Sequence, residues 1–326
     1  MVIQTPFLEK HRPQILDDII GQDFIISSTK ELLKNIYEFP HLLLSGKPGI
    51  GKTTYAGALA MAIYGKDWED IALEINASDE RKLETVRDKI IRHCMTQQSH
   101  HDVKRKMIIL EEFDSFLPAG QHALRRPMEQ FASSTIFILT CNYPKKIIPP
   151  IRSRCAQFAF REPKANDIAK YIALVAEREE VIIEKDALAL IAENAYGDFR
   201  PALLNFQCSI QKVKDKKVVM KQRVLDVCKF LTTESIDNIL NLVIENKIEE
   251  ASGEVETYLA NGVTEETILR SLYDYSSSRG LFADKKKGLP ILREFVEASK
   301  YLDNTAIPEA VFDTLFIGVA NILGEK

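Results

Sequence analysis

From Gly46 to Thr54 the chain reads GKPGIGKTT, which sets two glycines five residues apart and follows them with Lys52 and Thr53. That spacing belongs to a loop that wraps phosphate. The glycines let backbone N–H groups turn inward, the lysine reaches the terminal phosphates, and the hydroxyl at a helix N-terminus can meet Mg²⁺. HLLLS before the loop has strand length, and TTYAGALAMAIYG after it has helix length. A strand, a glycine loop and a helix in this order confine the fold to α/β units around a parallel sheet. The ligands expected are ATP and Mg²⁺, with Gly46, Lys47, Pro48, Gly49, Ile50, Gly51, Lys52, Thr53 and Thr54 as the binding set.

Other short apolar runs follow the same rhythm up to about Phe160: IALEIN, MIILEE, STIFILTCN and CAQFAF. Separated by helix-length segments, they predict further βαβ units with helices on both faces of the sheet. MIILEE brings Glu111 and Glu112 to the carboxyl end of its strand, where open α/β sheets bind ligands. In such a site the first acid faces the metal and the second polarises the attacking water. Glu112 suits the second task. Glu111 carries a longer side chain than the aspartate usual there, and Mg²⁺ demands near-octahedral geometry, so binding is expected to survive this change better than hydrolysis does.

Past Pro163 the period becomes helical. NDIAKYIALVAERE places Ile168, Tyr171, Ile172 and Val175 on one face, and DALALIAENAYGD runs to Gly197 as an expected C′ residue with Asp198 capping the next helix. KVKDKKVVMKQR reads as a charged, solvated connector. SIDNILNLVIENKIEEA and three later segments are again helical. The expected division is an α/β domain over residues 1–162, a small helical domain over 163–226 and a helical domain over 227–326.

Composition removes several classes of function. The five cysteines form no CxxC pair, against zinc ribbons and redox motifs and in keeping with a reducing, cytoplasmic setting. No apolar run reaches the roughly eighteen residues of a membrane span, so no membrane partner is expected. A net charge of −4 means that any nucleic-acid contact comes from local clusters.

With these motifs in order, the chain resembles the small subunits of replication factor C, the AAA+ clamp loader of archaea and eukaryotes. The resemblance runs through LEKHRPQILDDIIGQ, PHLLLSGKPGIGKTT, LEINASDER, IILEEFDS, QHALRRPME, ILTCNY, KIIPPIRSRC and AYGDFRPALLN, over about residues 8–207. It implies an AAA+ P-loop ATPase domain, a helical lid and an all-α C-terminal collar. It also implies catalytic roles for Glu112, for Asn142 as the sensor beside the γ-phosphate, for Arg154 as a finger reaching a neighbour's ATP, and for Arg200 as the lid sensor. Thr53 and Glu111 are implied at the metal. Arg12 and Pro13 would border the adenine, although His11 stands where the family usually has tyrosine. Taken alone, Asn142 reads as a turn residue and Arg154 or Arg200 as a solvated surface group.

The resemblance further implies that Arg81, Arg87 and Lys146 follow DNA phosphates, a contact needing only positive charge. Six helical residues turn about 600°, so Arg81 must precede the helix if both arginines face DNA. Without the resemblance, this stretch is a basic solvated helix face. Pro127 replaces the usual threonine, and proline inside a helix is expected to bend it and re-aim Arg125 and Arg126. Two readings remain: an ATPase subunit of a heteropentamer, with a large subunit and other small subunits, that loads a PCNA-type sliding clamp onto primer-template DNA; or an ATP-binding structural subunit of that complex with little turnover of its own.

Overall fold

The computed structural model describes residues 6–78, 83–96, 105–213, 216–228, 231–260, 262–284, 286–302 and 305–324. They pack as two units, one ending at Lys221 and one beginning at Gln222.

The first unit is built on a five-stranded sheet: β1 His41–Ser45, β2 Ala72–Asn76, β3 Lys106–Glu111, β4 Thr135–Cys141 and β5 Cys155–Ala159. The order is β2-β3-β4-β1-β5, and every neighbouring pair is parallel. Leu42 to Leu44, Met107 to Leu110 and Ile136 to Leu139 are buried on both faces of the sheet. This is why these strands read as continuous apolar runs rather than as alternating ones. The helix Lys52–Tyr64 is apolar on nearly every side because it too is buried, with Tyr55, Ala58 and Leu59 in the core beneath β1.

His41 opens β1 inside this core. Its Nδ1 accepts the Phe137 N–H at 3.2 Å, and its Nε2–H donates to the Met128 carbonyl at 3.2 Å, so the fold uses the neutral ring. Burial pushes its pKa down to about 4. An unfolded histidine titrates near 6.5, so the unfolded chain binds more protons between these two values and stability falls as the pH is lowered through that window. From the folded value of about 4, the first unit should lose about 2 kcal/mol between pH 7 and pH 5. Urea unfolding at the two pH values checks this: His41→Leu starts less stable, but it should lack that share of the pH slope.

After the sheet come three helices, Ala165–Arg178, Lys185–Glu193 and Phe199–Ser209. Asp198 caps the third as expected, accepting the Arg200 N–H at 2.7 Å. The second helix stops at Glu193, short of Gly197, and a turn with Tyr196 at φ +47° and Gly197 at φ +79° completes the connection. The charged connector also differs from expectation. It forms a small sheet in which β7 Gln211–Val213 pairs antiparallel with β8 Lys216–Val219, and β8 lies parallel to β6 Val181–Ile183. Val219 is fully buried, and that apolar anchor outweighs the surrounding lysines.

Among the described residues, the second unit holds the helices Thr233–Ile244, Ile248–Ala260, Glu265–Ser278, Gly288–Leu302 and Pro308–Gly324 around Ile239, Val243, Ile268, Phe312 and Phe316. SIDNILNLVIENKIEEA, one helical stretch by period, is two helices. Asn246 takes φ +59°, its N–H reaches the Val243 carbonyl, and the Lys247 N–H reaches that of Leu242, which closes the first helix with a left-handed cap. No helix among the described residues is long and apolar enough to cross a membrane.

Candidate nucleotide site

Because β1, β4 and β3 are neighbours, the segments following them meet at one edge of the sheet. The loop after β1 carries Gly46 to Thr53, β4 ends beside Asn142, and β3 ends in Glu111 and Glu112. Together they open into a cavity of about 300 Å³, lined by Pro48 to Thr54, Glu111, Glu112, Asn142, Arg12 and Arg200.

The glycines are needed where the loop turns. Gly49 has φ +74°, and a Cβ there would lie 1.9 Å from Asp198 Oδ2, so the loop and the cap of the helix Phe199–Ser209 touch through a position that only glycine fits. Gly51, at φ +96°, starts the helix whose N-terminus faces the cavity. Lys52 is buried, and its ammonium donates to the carbonyls of Gly46 at 2.6 Å and Lys47 at 2.7 Å and to Asn142 Oδ1 at 2.9 Å. Burial holds its pKa below the usual lysine value. Gly46 and Lys47 do not line the cavity but aim Lys52 through their carbonyls, while Pro48 to Thr54 line it.

Glu112 occupies the left-handed region at φ +50° and ψ +40°, uncommon for a residue with a side chain. Its N–H donates to Thr140 Oγ1 at 3.2 Å, which fixes the turn that swings its exposed carboxylate off the strand line. Two residues on, Asp114 accepts the N–H groups of Asn142 at 3.2 Å and Tyr143 at 3.0 Å. The acid pair and Asn142 are therefore held as one assembly. Thr140 and Asp114 escaped the sequence reading, since their partners come from other strands. Tyr171, expected on the core face of its helix, instead lines the cavity, donates its hydroxyl to the His11 carbonyl at 3.1 Å and stands edge-on to Phe199.

The donor set suits a magnesium–nucleotide complex. Glu111 Oε1 is buried without a hydrogen-bond partner among the described residues, and Thr53 lines the same cavity. No group of three or more His, Cys, Asp or Glu among the described residues could hold a metal unaided.

Several expected residues lie elsewhere. Arg154, between the turn Pro149–Arg152 and β5, does not line the cavity; it donates to the Pro150 carbonyl and to Glu129. Lys146 stacks on the Tyr143 ring, 4.8 Å from its centroid, in the turn after β4. Arg87 is exposed on the helix Leu83–Met95, and Arg81 falls outside the described residues. The helix Pro118–Gln130 runs on through Pro127, and Arg125 pairs with Glu129 one turn later, so the register is kept across the proline.

Residues 42–163 match the ATPase family associated with various cellular activities (AAA). The replication factor C small subunit of Methanococcus vannielii is 35% identical over 274 residues, 83% of this chain and 85% of that protein. The chain belongs to the replication factor C small-subunit family. The family's protein from Methanothermobacter thermautotrophicus is 36% identical over 84% of each chain, and that of Thermofilum pendens is 43% identical over 62% of each. Among solved structures, RuvB of Thermotoga maritima, a Holliday junction branch migration motor, superposes with a TM-score of 0.57 over 85% of this chain and 92% of that one. At 19% identity this likeness shows the AAA+ fold alone.

Proposed function

We propose that this chain is an ATPase subunit of a replication clamp loader. It joins a large subunit and other small subunits in a cytoplasmic heteropentamer that opens a PCNA-type sliding clamp and sets it on primer-template DNA. The observation that carries this reading is the placement of its arginines. Arg12 and Arg200 face the chain's own cavity, whereas Arg154 stands outside it. Such a division is what subunits need if each completes its neighbour's site.

The residues take the following roles in this reading. Lys52 and the loop N–H groups bind the phosphates, and Thr53 with Glu111 would hold the magnesium ion, which neutralises charge on the β- and γ-phosphates when bound. Glu112 takes the proton of the attacking water, Asn142 orients that water, and Arg200 contacts phosphate from the lid. The apolar end of the cavity, with Leu8, Pro13, Ile19 and Leu203, receives the base. Arg81, Arg87 and Lys146 follow DNA phosphates. We divide the chain into the nucleotide-binding domain 1–162, the lid 163–226 and the collar 227–326.

We also assign to Glu111 a modest attenuation of turnover, because its longer side chain must fold back to meet a compact octahedral ion. Single-turnover hydrolysis by the assembled loader tests both statements. Clamp and primed DNA together should raise the rate, and Glu111→Asp should raise it further, severalfold, without changing ATP affinity. Indifference to DNA would sink the loader reading. An unchanged rate in Glu111→Asp would remove the attenuation alone.

A further inference from the structure

The base-side wall of the cavity comes from the N-terminal segment, with Leu8 inside the short turn Phe7–Lys10 and Arg12 and Pro13 just after it. This segment is tied down from behind. His11 is buried, and its Nε2 lies 2.9 Å from Glu179 Oε1. Lys10 Nζ donates to the same carboxylate oxygen, and the His11 carbonyl accepts the Tyr171 hydroxyl. The Phe7 ring packs on that of His11, with centroids 4.6 Å apart.

Glu179 and Tyr171 both belong to the lid. Glu179 ends the helix Ala165–Arg178, and Glu180 after it takes φ +56°, a left-handed turn that sends the chain into β6 and leaves the Glu179 side chain facing His11. From the far side, Lys217 of β8 donates to the Glu179 carbonyl at 3.0 Å and stands 3.7 Å from its carboxylate. The carboxyl is held below the usual range, chiefly by its bond to Lys10, and burial keeps the His11 imidazole below the usual histidine value. A neutral ring donating Nε2–H to an ionised carboxylate satisfies both groups.

Resting on the reading of the cavity as an ATP site, we propose that His11 and Glu179 are a positioning pair that fastens the base-side wall to the lid. Base recognition and lid placement are then coupled at this end of the cavity, while the phosphate loop meets the lid through a contact of its own, Gly49 against Asp198 with the Gly49 carbonyl accepting the Phe199 N–H. Neither side chain of the pair lines the cavity. Its effect passes through Leu8, Arg12 and Pro13.

Two probes separate the ends of the site: ATP, which uses both, and inorganic tripolyphosphate, which uses the loop and Arg200 but not the base-side wall, each with Mg²⁺. On the full chain, His11→Ala and Glu179→Ala should each weaken ATP about tenfold and leave tripolyphosphate unchanged. The double variant should lose little more than either alone, because the two side chains act as one contact. Glu179→Gln, which still accepts from His11, should keep most of the affinity, and it decides the matter if Glu179→Ala fails to fold. Equal weakening of both probes, or no weakening of ATP in folded variants, overturns the proposal. A natural chain that binds neither probe overturns the ATP-site reading instead.

Discussion

In the assembled loader, Arg154→Ala should lower single-turnover hydrolysis at the site this arginine reaches by about 10³-fold, the lower end of what a guanidinium supplied to a transferring phosphoryl group contributes. The same variant, studied as the isolated chain, should bind ATP with unchanged affinity, since Arg154 does not line its own cavity. The resting position of the side chain supports this. Its guanidinium is bonded to the Pro150 carbonyl and to Glu129, which Arg125 also holds, so it is kept beside the end of the helix Pro118–Gln130 and away from the cavity. Glu129 is an exposed partner, and exposed ion pairs are weak enough to be exchanged for a phosphate dianion. Rapid quench of the complex, beside equilibrium ATP binding by the single chain, checks both halves. Loss of ATP affinity in the isolated variant would place Arg154 in its own site and contradict the account.

Glu112→Gln carries the second large effect. A positioned general base contributes about 10²–10⁴-fold, so turnover at this subunit's own site should fall at least about 100-fold. To isolate that site, the other subunits carry alanine at their loop lysines. ATP binding should persist, because the amide keeps the size of the side chain and the loop contacts of Lys52 do not involve it. With the other subunits natural instead, the clamp should be loaded and held but released slowly. The backbone explains why position, rather than charge alone, matters. Glu112 projects from a left-handed turn secured by Thr140, and the neighbouring Asp114 fixes the backbone at Asn142, at the end of β4. A variant that hydrolyses at the natural rate would mean that another group takes the proton.

The sequence made some of this legible, and physics explains which parts. Phosphate binding by a loop is a local property, so glycine spacing, Lys52 and Thr53 could be read directly, and the buried parallel strands announced themselves as unbroken apolar runs. The supports of the site were hidden because their partners lie on other strands. Nothing local to LTCN shows that Thr140 accepts from the turn after β3, or that Asp114 in the FDS turn holds the next strand's end. Tyr171 obeys the helical period and yet serves the cavity, because its helix lies at the boundary between core and site. The charged segment after Ser209 misled because lysines dominate its composition, while the buried valine at 219 decides its structure. At Asn246 one left-handed residue broke an otherwise continuous helical period.

The most direct test of the central claim counts sliding clamps left on primed circular DNA after incubation with the assembled loader. The account predicts that clamps accumulate with ATP, that few do when ATP is withheld, and that Lys52→Ala in this chain depresses the yield even when every other subunit is natural. Equal loading with this chain omitted, or clamp loading that ignores ATP, would contradict it.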